Sequence, residues 1–252
     1  MKTLKFLSIG LTSTILFSSV TLAQSEPQIL KTQARLAAFS ADSKHYIYLE
    51  SYQQPITEIP KAYLQIFQVD KNVCVPKGCV STDLGDDFAG KNLKVAEDNL
   101  LNQTEELRDE LDLSRYLKTG ISLPIISAKN IDKKGLDRVI VKLNEKGDNL
   151  ILFLQQRQIK SIVQNGRSDI SRSSMRLIAF FNYRRLTLGS LYDFKEGVSK
   201  FNIREVYLSP DRQKIVVLLN MMRPTAEGEV QTTLVQSFPL VNENKKPTEK
   251  LK

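Results

Sequence analysis

The chain has no tryptophan, one histidine and only two cysteines among its 252 residues. Each scarcity removes a class of chemistry. A Ser–His–acid hydrolase would have to recruit His45, which follows Lys44 at the start of an apolar stretch, and the chain contains no Gly-x-Ser-x-Gly elbow. His45 is therefore read as a strand residue, packed or exposed. A metal centre built on His and Cys lacks the ligands it needs. Walker-type loops, His-Glu-x-x-His and a dinucleotide fingerprint are also absent, so no cofactor is expected.

The two cysteines, Cys74 and Cys79, flank Val75-Pro76-Lys77-Gly78. The spacing differs from the Cys-x-x-Cys of redox pairs, and a metal would need further soft ligands. A structural disulfide is the first reading in an oxidising compartment, with Pro-Lys-Gly supplying a chain reversal. Closing so small a loop contributes at most about 2 kcal/mol by chain entropy.

Long apolar runs are absent except at the N-terminus. Lys2 and Lys5 precede a mostly apolar run over 6–20, and Thr21-Leu22-Ala23 offers a small-x-small cleavage site. The Ser and Thr residues inside the run weaken it as a permanent span. No Cys follows the site, which argues against a lipid anchor, and no twin Arg precedes it. Residues 1–23 are expected to be a signal peptide cleaved after Ala23. The mature protein would then be periplasmic or secreted, in a bacterium with an outer membrane, with no stable membrane insertion. Residues 24–241 read as one β-rich domain, because no charged linker or low-complexity break divides them. Residues 242–252, with four Lys, two Glu and a Pro, read as a disordered basic tail.

Charge is unevenly distributed. The whole chain carries +8, but 24–113 carries −6 and 114–252 carries +12. The two halves could face each other, or the basic half could face an anionic partner.

Strand patterns dominate the order of elements. Runs near 35–40, 45–52, 63–70 and 73–75 are separated by turns and make a meander of the kind found in a propeller blade. Residues 92–117 change period: Leu93, Ala96, Leu100, Leu107 and Leu111 form one helical stripe, and 92–113 holds seven acidic and two basic residues. One amphipathic helix across the side of the sheets is expected, its acidic face solvated or used for docking. Strand signals return over 139–143 and 150–154, joined by a Gly-bearing loop, then near 159–163, 175–182, 186–193 and 232–240. The fold class is mainly β, propeller-like or another multi-sheet antiparallel domain with one inserted helix.

One unit recurs without a gap. Phe39-Ser40-Ala41-Asp42 and Leu208-Ser209-Pro210-Asp211 each precede an apolar strand, and their Ser and Asp oxygens suit a tight reversal. Asp42 and Asp211 are accordingly read as turn formers and not as catalytic acids. The two copies resemble the blade motif of TolB-type β-propellers, in which a Phe-Ser-Pro-Asp-Gly turn joins the first two strands of a blade. Neither copy keeps the Gly, and only the second keeps the Pro. The layout also resembles a family of bacterial secreted proteins of unknown function. The shared features are the export signal, the early Phe-Ser-x-Asp hairpin, the stretch 64–80 with its Val-Asp-x-Asn turn, and a late Ser-Pro-Asp strand. That resemblance implies no activity.

Asp83, Asp86 and Asp87 could offer oxygens to Ca²⁺, but they lack the spacing of a known loop and equally suit the positive end of a helix dipole. The most pointed feature is a basic stretch: Arg157, Lys160, Arg167, Arg172, Arg176, Arg184 and Arg185, opposed over 157–185 only by Asp169. It reads either as a dispersed surface, or as an internal partner of the acidic helix, or as a site for an anionic envelope polymer, a lipid headgroup or an acidic protein. Phe180, Phe181 and Tyr183 nearby read as packing residues. The chain is thus expected to be a non-enzymatic binding protein with no nucleic-acid partner. The rival is a carboxylate-dependent hydrolase of cell-envelope material, since glycosidases work with two carboxylates and no His.

Overall fold

A computed structural model describes residues 29–132, 136–162, 168–225 and 228–240. The expected signal segment 1–23, the tail 242–252 and Arg167 lie outside them. The strands are β1 (Ile29–Lys31), β2 (Gln33–Phe39), β3 (His45–Gln53), β4 (Pro60–Gln68), β5 (Val73–Ser81), β6 (Ile121–Ser122), β7 (Ile125–Asp132), β8 (Leu136–Lys142), β9 (Asn149–Ile162), β10 (Ser168–Phe181), β11 (Arg184–Glu196), β12 (Lys200–Leu208), β13 (Lys214–Thr225) and β14 (Gly228–Pro239). The mainly β expectation holds, in three sheets. The first is the meander β2-β3-β4-β5, and the third is the meander β11-β10-β9-β8-β7. The central sheet is β1-β14-β13-β12-β6, with β1 parallel to β14.

The sheets stack face to face, and the pleat of β13 explains how. Successive side chains of a strand point to opposite faces. Ile215, Val217 and Leu219 join a core with Leu152, Leu154 and Leu177 of the third sheet. Val216 and Leu218 point the other way, into a core with Phe39, Tyr46 and Tyr48 of the first sheet. A strand buried on both faces needs a continuous apolar run, which Ile215-Val216-Val217-Leu218-Leu219 supplies.

The first sheet is covered on its far side by helices, through a core of Ile47, Leu49, Leu64, Ala96, Leu100 and Leu113. Here the expectation of one helix over 92–117 is corrected. The segment forms α1 (Leu93–Gln103) and α2 (Glu105–Glu110) and is non-helical beyond them. The Asn92 side chain accepts a hydrogen bond from the Lys94 N–H and caps α1. Thr104 interrupts the helix, its hydroxyl donating back to the Leu100 carbonyl at 2.7 Å. Asp112, at φ 53°, turns the chain so that Leu113 is buried beneath.

Cys74 and Cys79 form a disulfide. The expected reversal at Pro-Lys-Gly is replaced by a bulge within one strand. Cys74 lies opposite Phe67 and Cys79 opposite Gln65, so the bridge closes extra residues expelled from the ladder. Val75 drops from the bulge into the helix-side core.

The two Ser-x-Asp turns share three equivalent side-chain hydrogen bonds. The Ser40 hydroxyl donates to Asp42 Oδ1 and accepts from the His45 N–H at 3.0 Å, while Asp42 Oδ1 accepts from the Lys44 N–H. In the second turn the Ser209 hydroxyl donates to Asp211 and accepts from the Lys214 N–H at 2.9 Å, and Asp211 accepts from the Gln213 N–H. Ser43 and Arg212 occupy the position where the propeller motif has Gly, at φ 59° and 58°. A side chain is strained there by about 1 kcal/mol. Arg212→Gly is expected to leave stability unchanged or raise it by up to about 1 kcal/mol, the relief partly offset by glycine's larger unfolded-state entropy. Arg212→Val should lower stability by more than that. Urea midpoints of the two variants check both expectations.

Burial opposes the charge on Asp42, but the Lys44 N–H, the Ser40 hydroxyl and the Lys44 ammonium outweigh it and hold the pKa at about 2. The folded value lies below the unfolded one of about 3.9. The turn's contribution is therefore complete above about pH 4 and fades as pH falls toward 2. Asp42→Asn should flatten stability over that window. An NMR titration of Asp42 with a midpoint near 4 would contradict this.

Candidate functional site

The third sheet has one face in the core and one face that no element of the described residues covers. Leu150, Leu152, Leu154, Met175, Leu177, Ala179 and Phe181 point inward. Their neighbours in sequence point outward, and register aligns them across strands. Arg138 of β8 lies opposite Phe153 of β9, and Phe153 lies opposite Ile178 of β10. Gln155 lies opposite Arg176, Arg157 opposite Ser174, and Phe180 opposite Arg185 of β11. Lys129 of β7 pairs with Arg138 at the far edge.

Of the seven basic residues expected to form a site, four meet on this outer face: Arg157, Arg172, Arg176 and Arg185. Arg184 lies opposite inward-pointing Phe181 and so belongs to the other face. Lys160 follows Ile159, which pairs with Arg172, and alternation sends Lys160 to the opposite side from Arg172. Lys129 and Arg138 are additions that the linear stretch did not contain. The signal for Arg138 was its alternation, with Ile140, against Val139 and Val141, whereas Lys129 joins it through the β7–β8 register.

Arginines and rings interleave here. The Arg157 guanidinium lies over the rings of Tyr192 and Phe194, at 5.7 and 5.5 Å, and Arg172 lies over Phe194 at 5.4 Å. Arg185 lies over Phe180, which meets Phe153 edge to face. Phe180 was expected to pack internally. It is instead 37% exposed on this face, because it has the opposite parity to core residue Phe181. A bulge raises Tyr192 to 82% exposure: Ser174 pairs with Phe194 while its neighbour Met175 pairs with Ser190. Gly189, at φ +73°, permits the distortion, since a Cβ there would lie 2.8 Å from the Met175 carbonyl oxygen. Arg176 is held flat by two hydrogen bonds to Gln155 Oε1, at 2.8 and 2.6 Å.

Acidic residues do little to neutralise the face. Glu196 approaches Arg172 at 3.4 Å in an exposed pair, worth at most about 1 kcal/mol. The acidic helices pack on the first sheet, at the other end of the stack. Their ion pairs run from Glu97 to Arg35 and from Asp98 to Lys94. Internal pairing of the outer-face arginines with the acidic helices is therefore excluded for the four described on this face.

Elsewhere the described residues offer little chemistry. No group of three or more His, Cys, Asp or Glu that could hold a metal gathers among them. Asp86 begins a short 3₁₀ turn, Asp86–Phe88. His45 is half-buried, and burial first, then Lys44 and Lys214, lower its pKa against the pull of Asp42 and Asp70. Glu145 and Asp148 share a surface cavity but are engaged by Lys142 at 2.6 Å and Asn144 at 2.7 Å. No protein-family model and no curated protein matches this chain.

Proposed function

We propose that this is an exported, non-enzymatic binding protein that holds an anionic envelope polymer against the outer face of its third sheet. One observation carries the reading: arginines scattered along the chain share one uncovered face with Lys129 and Arg138, among rings that hold their guanidinium planes. Arginine recognises carboxylate and phosphate groups through paired donors. A strand face that carries several cations across four strands suits an extended polyanion better than it suits a compact ligand.

The same proposal reads the three stacked sheets as propeller-like blades. Equivalent Ser-x-Asp turns join β2 to β3 and β12 to β13. Strand β1, from the start of the described chain, completes the sheet made by the last strands. Export remains tied to the leader, and N-terminal sequencing of protein from a periplasmic fraction should begin near Gln24. A start at Met1 would remove the compartment on which the envelope partner depends.

The binding test uses labelled polygalacturonate, with neutral dextran as the control. Binding is expected at low salt and should weaken steeply past about 0.15 M, where the Debye length is roughly 8 Å. Equal affinity for dextran, or none for polygalacturonate at low salt, overturns the reading. Capture of an acidic protein alone would move the partner to a different class.

A further inference from the structure

A second feature lies where all three sheets converge. A cavity of about 390 Å³ opens between β4 and β5 of the first sheet, β13 and β14 of the central sheet, and Lys195 of the third. Its volume falls within the range of small-ligand sites. The disulfide forms part of one wall, and Phe67, Met221 and Leu234 supply apolar surface.

Three charged residues line it: Glu50, Lys195 and Arg223. The carboxylate is already committed. Glu50 accepts hydrogen bonds from the Thr233 N–H at 2.7 Å and from the Thr233 and Thr32 hydroxyls at 2.6 and 2.7 Å. The cations are not committed in this way. Lys195 has no side-chain hydrogen bond or ion pair among the described residues. Arg223 donates to the Glu196 carbonyl oxygen at 3.3 Å and touches the Met221 sulfur at 3.8 Å. Its Nε is buried without a partner among the described residues. A buried guanidinium nitrogen left unpaired is costly unless something supplies an acceptor.

We infer that this cavity binds a small organic anion, a carboxylate on an apolar body, with the carboxylate between Lys195 and Arg223 and the body against Phe67, Met221, Leu234 and the disulfide. The site is separate from the polymer-binding face. Lys195 pairs with Ser173 while its neighbour Glu196 pairs with Arg172, so the two sites occupy opposite sides of β11.

Octanoate serves as the probe, followed by calorimetry and by NMR shifts of the Met221 methyl and the Thr232 and Thr233 amides. Octylammonium is the charge-reversed control. Octanoate is expected to bind and to shift those three residues, and octylammonium is expected not to. Lys195→Gln removes no hydrogen bond or ion pair among the described residues and should weaken octanoate at least fivefold without moving the melting midpoint. Arg223→Gln should weaken it at least tenfold. Polygalacturonate binding should be the same in Lys195→Gln as in the wild type, so failure at one site is distinguishable from failure at the other. The inference is overturned if octanoate leaves those three residues unshifted, if octylammonium binds as tightly, or if Lys195→Gln binds octanoate like the wild type. The comparison of octanoate with octylammonium requires no variant, so poor folding of Arg223→Gln would not weaken the test.

Discussion

Replacing Arg157, Arg172 and Arg176 together by Glu should reduce polyanion binding by about 10²- to 10³-fold at low salt. The estimate rests on exposed charge pairs worth up to about 1 kcal/mol each. Removing three attractions and adding three screened repulsions amounts to about 3–4 kcal/mol, and 1.4 kcal/mol is a factor of ten. The fold should survive. Arg157 and Arg172 are exposed, and among the described residues Arg176 is held only by Gln155. Losing those two bonds should cost about 1 kcal/mol, visible as a small shift of the melting midpoint. Arg176→Gln alone should keep most of the stability and lose only its share of the binding. If the triple variant binds polygalacturonate as the wild type does, the outer face is not the binding surface. If it unfolds instead, the arginines are structural, and Arg157→Glu alone still separates the two roles.

This face illustrates where sequence reasoning reached and where it stopped. The basic stretch was visible as a run of like charge, yet proximity in the chain misassigned two of its members. Arg184 and Arg185 are adjacent, and adjacency in a strand guarantees opposite faces. Arg138 lies nearly twenty residues before Arg157, and only the register of β8, β9 and β10 places both on one surface. The doubled Ser-x-Asp turn was legible in full, because its bonds are local and fixed by side chains two to five residues apart. Parallel β1 and short β6 carried no such signal. Their pairing partners lie far along the chain, and each strand is too short to show a period.

Polar strand residues were the hardest to interpret. Glu50 and Gln65 look like the solvent-facing half of an alternating pattern, and Asn72 like an exposed residue of the turn between β4 and β5. In the fold they serve the free edge of β14. Strand β1 pairs with β14 only from Glu229 to Gln231, and beyond that point the outward N–H groups need other partners. Glu50 accepts from the Thr233 N–H at 2.7 Å, Gln65 from Val235 at 3.3 Å, and Asn72 from Ser237 at 2.7 Å. Three side chains of the first sheet thus replace a missing strand. Sequence patterning cannot reveal this, because it depends on the docking of one sheet against another.

Glu50→Ala should therefore be the most destabilising single substitution in this interface, costing about 3–5 kcal/mol. The carboxylate is fully buried, and three donors from the β14 edge and the β1–β2 link converge on it. Thr233 also connects it to Arg204, whose guanidinium donates to the Thr233 hydroxyl at 3.0 Å and to the Tyr48 hydroxyl at 2.8 Å. Removing the carboxylate strands the buried Thr233 N–H and hydroxyl and the Thr32 hydroxyl, and takes a nearby negative charge from Arg204, which keeps its ion pair with Glu205 at 3.2 Å. Glu50→Gln keeps one acceptor oxygen and should cost about 1–2 kcal/mol, and Asn72→Ala, nearer the rim, a similar amount. Total stabilities of such domains are about 5–15 kcal/mol, so Glu50→Ala takes a large share and should also expose the amides of β1 to hydrogen exchange before those of β13. Urea denaturation of the three variants checks the order. A cost below about 1 kcal/mol for Glu50→Ala would mean that water readily replaces the carboxylate and that the two sheets are held by their apolar core alone.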